Sequence, residues 1–215
     1  MKRILCFGDS NTYGHNPATE GRFDENVRWT KQLSRILGEK YLVVEEGLNS
    51  RTAAITPEDE PYLNGLTYLA PCVRSHQPLD LVILMLGTND MKTCFSMTPE
   101  RIAEEIRSLI RCVREANETA RNGKKDCQIL VVSPFYIRET IADHPYREYY
   151  GDTWGVELSH KVAPYYEKVA REEDCAFFNA AEYITVSPID GLHLDEEGHC
   201  RFAELMSGEV HRLLD

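Results

Sequence analysis

The stretch Leu79-Asp80-Leu81-Val82-Ile83-Leu84-Met85-Leu86, running into Gly87-Thr88-Asn89-Asp90, decides how this 215-residue chain reads. Its apolar residues do not alternate with polar ones, the pattern of a strand covered on both faces at the centre of a parallel sheet. It carries Asp80 and is far shorter than the ~20 apolar residues a membrane-spanning helix needs. Ile129-Leu130-Val131-Val132 repeats the pattern. Working outward, residues 3–7, 41–46, 128–133 and 175–179 also read as strands, giving about five in all.

Between these strands the period changes. Ile102, Ile106, Leu109, Ile110 and Val113 recur at intervals of three and four after Thr98-Pro99, which predicts a helix closed by Asn122-Gly123. Further helices are expected over 29–37, over 156–173 with a break at Pro164, and over 195–213 with acidic residues in the first turn. No internal repeat or linker-like tract interrupts the β-α alternation. One doubly wound α/β domain over residues 1–215 is expected, with helices on both faces.

Composition narrows the partners. With 42% hydrophobic residues the chain can bury one substantial core, and 35 acidic against 24 basic residues give a formal charge of −11. Such a surface repels nucleic acid and anionic membranes and admits a small neutral substrate. Met1-Lys2-Arg3-Ile4-Leu5-Cys6-Phe7 is broken at once by Gly8-Asp9, so it reads as a first strand and not as a signal peptide. The seven cysteines are odd in number, scattered and without a Cys-x-x-Cys pair, which points to free, mostly buried thiols in the cytoplasm, with Cys94 and Cys200 nearer polar segments.

In doubly wound sheets ligands gather beyond the carboxyl ends of the strands. Three polar, glycine-bearing loops fall there: Gly8-Asp9-Ser10-Asn11, Gly47-Leu48-Asn49 and Gly87-Thr88-Asn89-Asp90. A serine hydroxyl needs a base to become a nucleophile, and histidine is the natural one near neutral pH. The oxyanion that follows attack needs fixed donors, roles that suit Gly47 and Asn89. On the residues alone Gly47 is as readily a turn glycine as a donor. Pro188-Ile189-Asp190-Gly191-Leu192-His193 supplies a loop histidine with a carboxylate three positions earlier, placed to hold the imidazole Nδ1–H.

Other features have plainer uses. Asp9 and Asp90 read as carboxylates that brace loops. His160, His199 and His211 fall on helix surfaces, and His15 is near enough to Ser10 to line a pocket. Asp190, His193 and His199 lack the second cluster that would complete a metal site, so no metal is expected there. Tyr13 reads as a pocket residue and Trp29 as core. The long connection 138–154, with Tyr146, Tyr149, Tyr150 and Trp154, reads as pocket wall, oligomer contact or simple packing. A phosphate-binding module would carry Gly-x-x-x-x-Gly-Lys or Gly-x-Gly-x-x-Gly, and an α/β-hydrolase a Gly-x-Ser-x-Gly elbow; neither is present. A scaffold of this shape without activity stays open.

Four blocks in order, Gly8-Asp9-Ser10-Asn11, Gly47, Gly87-Thr88-Asn89-Asp90 and Asp190-Gly191-Leu192-His193, resemble those of the SGNH (GDSL-type) hydrolase family. Glu45-Glu46-Gly47-Leu48, Arg51-Thr52, Leu63-Asn64-Gly65 and residues 79–90 resemble its bacterial arylesterase and acyltransferase branch. The resemblance implies a three-layer α/β/α flavodoxin-like fold with a central parallel sheet. It implies Ser10 as nucleophile, His193 as base, Asp190 as its partner, and an oxyanion hole of Ser10 N–H, Gly47 N–H and the Asn89 side chain. It further implies no metal or organic cofactor, a homo-oligomer, and a small ester substrate cleaved by water or transferred to an alcohol; the small size of the chain, with little room for a lid over long lipid chains, favours short acyl esters. Sugar acetates, lysophospholipids and thioesters are the alternatives within the family. Asn11 stands where many members carry leucine, which is expected to make the acyl pocket more polar, and Asn49-Ser50 replace a common serine-glycine pair.

Overall fold

The computed structural model describes residues 1–118 and 127–215. Five strands, β1 (Lys2–Gly8), β2 (Tyr41–Gly47), β3 (Leu81–Met85), β4 (Gln128–Val132) and β5 (Ala176–Phe178), form one parallel sheet in the order β2-β1-β3-β4-β5. That is the flavodoxin-like order, with the crossover point between β1 and β3. The register pairs Gly8 with Gly47 and Ile4 with Leu81.

Side chains of successive strand residues point to opposite faces, and here both faces are covered. Leu5, Phe7, Val82, Leu84 and Val131 belong to a core shared with Leu69, Ile106 and Val162. Ile4, Cys6, Ile83, Leu130 and Val132 belong to another, with Trp29, Leu33, Phe202 and Met206. The first face carries α3 (Gly65–His76), α4 (Pro99–Glu118) and α6 (Trp154–Glu172), the last preceded by the single turn α5 (Arg147–Tyr150); the second carries α2 (Trp29–Leu37) and α7 (Glu196–Leu214). Among the described residues no helix is long and apolar enough to cross a membrane.

The element ends differ from expectation in instructive ways. β3 is shorter than 79–86 because the Asp80 side chain accepts the Arg3 N–H at 2.7 Å, and the chain leaves the sheet before Gly87, whose φ is +117°. α6 runs through Pro164 unbroken, losing one backbone hydrogen bond while Leu158, Val162, Tyr166 and Val169 stay buried along it. α3 was not signalled, since Gly65, Pro71 and Pro78 all resemble chain breaks; its start is capped by Asn64, which accepts the Thr67 N–H at 3.2 Å. The expected close of α4 at Asn122-Gly123 lies outside the described residues.

Candidate active site

β1 ends at Gly8, and the chain turns at once into a single helical turn, α1 (Ser10–Tyr13). Asp9 caps it, Oδ1 accepting the Asn11 N–H at 3.0 Å and the carbonyl accepting those of Thr12 and Tyr13. Burial pushes the Asp9 carboxyl above its ordinary value despite that N–H and nearby positive groups, and this suits a brace rather than a reacting acid. Ser10 opens the turn, where helix geometry leaves N–H groups without intrahelical partners. Its own N–H makes no hydrogen bond among the described residues.

The loop after Val186 brings the base. Gly191 has φ +71°, and a Cβ there would lie 2.8 Å from the Ile141 nitrogen, so only glycine lets the loop turn against residues 138–141. Asp190 Oδ1 accepts the N–H groups of Leu192 at 2.9 Å and His193 at 3.0 Å, while Oδ2 meets His193 Nδ1 at 2.6 Å. Burial works against ionisation of Asp190, but the hydrogen bond and charge of His193 together with the two N–H groups outweigh it and hold the carboxyl below its usual value. A carboxylate on Nδ1 keeps the proton there and leaves Nε2, 2.9 Å from Ser10 Oγ, to accept the hydroxyl proton.

Asn11 ties these two loops together. Its Oδ1 accepts the Leu194 N–H at 2.9 Å and its Nδ2 donates to the Leu192 carbonyl at 3.4 Å, gripping the backbone on both sides of His193. It does not line the cavity, so the expected polar acyl pocket is not what its amide provides.

Asn89, beyond β3, is held from both ends. The buried Tyr150 hydroxyl donates to its Oδ1 at 3.3 Å, and its Nδ2 donates to the Arg51 carbonyl at 3.1 Å, leaving one amide hydrogen for a ligand. Burial, then the carboxylates of Asp9 and Asp90, keep the Tyr150 hydroxyl protonated far above its normal range. The Arg51 guanidinium is buried, donates to the carbonyls of Gly8 and Glu46, and lies 4.3 Å over the Phe7 ring, tying the ends of β1 and β2 together. Asp90 accepts the Ala53 N–H with both oxygens, the brace its turn position suggested.

Ser10, His193 and Asn89 open on a cavity of about 280 Å³ whose wall includes Asn49, Ser50, Glu60, Lys92, Tyr146, Tyr149, Tyr150 and Leu192. A model of the GDSL-like lipase/acylhydrolase family matches residues 6–201. The chain belongs to that family. Over the whole of both chains it is similar to the M. smegmatis aryl esterase in its inhibitor-bound form, at 36% identity and a TM-score of 0.92. It is likewise similar to a carbohydrate acetylesterase from Sinorhizobium meliloti, at 35% identity and a TM-score of 0.88, again over the whole of both chains. A curated relative, the acetylxylan esterase of Xylanibacter ruminicola, is 22% identical over 97% of this chain, which spans only 43% of that protein's length.

Within this GDSL-family site, some expected residues fall elsewhere. Gly47 is not on the cavity wall: its α-carbon is pressed against α1, where a Cβ would come within 2.0 Å of the Tyr13 nitrogen. Its glycine is dictated by that close approach. Ser50 lines the cavity instead, at φ +62° in a turn closed by Arg51 N–H on the Leu48 carbonyl, and its N–H has no partner among the described residues. His199 is fully buried and not on a helix surface; its Nδ1 accepts the Trp29 N–H at 3.3 Å. Only Cys6 and Cys72 are buried thiols, with Cys94 and Cys200 exposed and the rest between. Tyr13 lies under the Arg22 guanidinium, away from the cavity, and Trp154 donates to the Met91 carbonyl. Trp29 is core. Arg51 and Tyr150 carried no catalytic signal in the sequence, because one works through its carbonyl and backbone contacts and the other through an amide.

Proposed function

We propose that the chain is a serine esterase that cleaves short-chain carboxylic esters of small molecules through an acyl-enzyme on Ser10. The observation that carries this reading is the hydrogen-bonded line Ser10 Oγ to His193 Nε2 at 2.9 Å and His193 Nδ1 to Asp190 Oδ2 at 2.6 Å, opening on the cavity. Ser10 attacks the ester carbonyl as His193 takes its proton, and Asp190 stabilises the imidazolium. The oxyanion is met by the Ser10 N–H and the Asn89 amide, and the third donor, expected at Gly47, is assigned to the Ser50 N–H on the cavity wall. The C–O bond to the alcohol breaks as His193 returns the proton to it. Water then attacks the acyl group by the same route, or a second alcohol does so and the reaction is acyl transfer.

Residues 1–215 act in this reading as one catalytic domain. The scattered cysteines, without a Cys-x-x-Cys pair, support a cytoplasmic setting, and the arylesterase-like motifs support a homo-oligomer. A second substrate reading rests on the wall itself. Leu192 is the one aliphatic side chain among the lining residues described, while Asn49, Ser50, Glu60 and Lys92 offer polar groups and Tyr146 and Tyr149 offer ring faces. That lining suits an acetylated sugar better than a long acyl chain.

The test combines labelling and turnover. A fluorophosphonate should add once, at Ser10, and Ser10→Ala should abolish both the adduct and hydrolysis. Folded protein that takes no label sinks the esterase reading. A panel of aryl acetate, butyrate and octanoate beside acetylated xylo-oligosaccharides then orders the substrates, and octanoate as the best of them would remove the short-chain assignment.

A further inference from the structure

The proposed ester chemistry leaves one cavity imidazole without work. His15 follows α1 directly, is buried, and has its ring centroid 4.2 Å from that of His193. His15, His193 and Asp190, all buried, each offer one ligand atom within 4.8 Å of the others. The partner that joins Asp190 and His193 is therefore His15 and not His199. Outside this group, Glu20 Oε2 lies 3.6 Å from His15 Nε2, and the Tyr146 hydroxyl donates to the same Glu20 oxygen at 2.9 Å.

Two imidazoles and a carboxylate are the donor set of borderline divalent metals such as zinc. A tetrahedral ion with Zn–N of about 2.0–2.1 Å sets its ligand atoms roughly 3.4 Å apart. Ligand atoms farther apart than that would close by no more than about 1.4 Å from the 4.8 Å limit, while the 2.6 Å contact of His193 Nδ1 with Asp190 Oδ2 would have to open by roughly 0.8 Å if both atoms bind the ion. Glu20 stands where a carboxylate outside the coordination sphere orients a histidine ligand.

We propose that His15, His193 and Asp190 form a zinc-type site, and that an ion bound there switches the esterase off by withdrawing His193 from Ser10. The switch rests on the assignment of His193 as the base; the site itself does not. Binding displaces one proton from the His193–Asp190 pair to solvent, and no other bond changes.

The test uses chelator-stripped protein in a Cys72→Ser background, because Glu46, Cys72 and His76 make a separate potential metal group between β2 and α3. Zinc is titrated into ester hydrolysis for this protein and for His15→Phe, His15→Asn and Glu20→Gln versions, each referred to its own metal-free rate. Micromolar zinc should inhibit the parent, chelator should restore it, both His15 substitutions should remove the effect, and Glu20→Gln should demand roughly 10–100-fold more zinc. In parallel, cobalt titrated into the Ser10→Ala protein should give the visible absorption of a tetrahedral site, absent when His15→Phe is added. Equal zinc sensitivity with and without His15 overturns the switch, and a cobalt spectrum indifferent to His15 overturns the site. If the protein proves to hydrolyse no ester, the cobalt arm still decides the metal site on its own.

Discussion

Asn89 is oriented from both ends, and that is where its effect can be measured. With Tyr150 donating to its oxygen and its nitrogen donating to Arg51, the remaining N–H is fixed before any oxyanion forms. Asn89→Ala should therefore cost about 2.7–4 kcal/mol of transition-state stabilisation, read as a 10²–10³-fold fall in kcat, and about 1–3 kcal/mol of stability because the buried Tyr150 hydroxyl loses its acceptor. An unaltered kcat would take Asn89 out of the reaction. Tyr150→Phe leaves the donor in place and loosens only its aim, so a smaller fall in kcat with little change in KM is expected. Asn11→Ala would strand the buried Leu194 N–H and release the His193 backbone, so about 1–3 kcal/mol of stability should go, together with part of kcat. Urea unfolding and steady-state kinetics on that variant check both. Ser10, Asp190 and His193 could be picked out of the sequence because acyl transfer demands those residue types in loops. Asn11, Arg51 and Tyr150 could not, since each acts through a backbone group or an amide brought near by the fold.

At the scale of elements, periodicity exposed α2, α4 and α7, whose buried positions recur at helical spacing, and the two apolar central strands. It hid α3 and the continuity of α6, where Pro71 and Pro164 look like stops and packing against the sheet overrides them. Pairing between elements was equally invisible. Asp90, beyond β3, shares a hydrogen bond with Glu105 on α4, and Glu105 accepts the Ala54 N–H at 3.0 Å beside the bonds Asp90 makes to Ala53. Burial first, then the hydrogen bond and charge of Glu105, raise the Asp90 pKa well above its ordinary value. The folded protein thus keeps a proton that the unfolded chain releases above about 3.9, and stability should fall as pH rises from there toward the raised folded value. Asp90→Asn removes that proton linkage. The urea midpoint at pH 5 minus that at pH 8 should be smaller, or more negative, in the variant than in the parent, since the Asp90 contribution that favours the folded state at low pH is gone, and an unchanged value would show that Asp90 titrates normally in the fold.

Across the whole molecule the strand order sets β1 between β2 and β3, so the loops after all three meet at one end of the sheet. That convergence was legible from the β-α alternation alone, whereas the burial of a histidine between two helices was not. His199 projects from α7 into the core beside Trp29, with Phe23 edge-on at 5.3 Å, and burial pushes its pKa down to about 3. In the unfolded chain the same ring protonates near 6.5, so between pH 6.5 and about 3 the unfolded state binds a proton the folded state refuses. The His199 contribution to stability is therefore full above 6.5 and lost as pH falls, by on the order of 4–5 kcal/mol across that window, a large share of the 5–15 kcal/mol typical of a folded protein. Asp190, whose pKa is depressed in the fold, adds a further loss once pH drops below its unfolded value of about 3.9. His199→Gln should begin less stable at pH 7, because a packed ring is gone, yet lose less between pH 7 and pH 4.5. Urea unfolding of both proteins at several pH values across that range gives the two slopes, and parallel slopes would mean that the acid sensitivity of the fold comes from other groups.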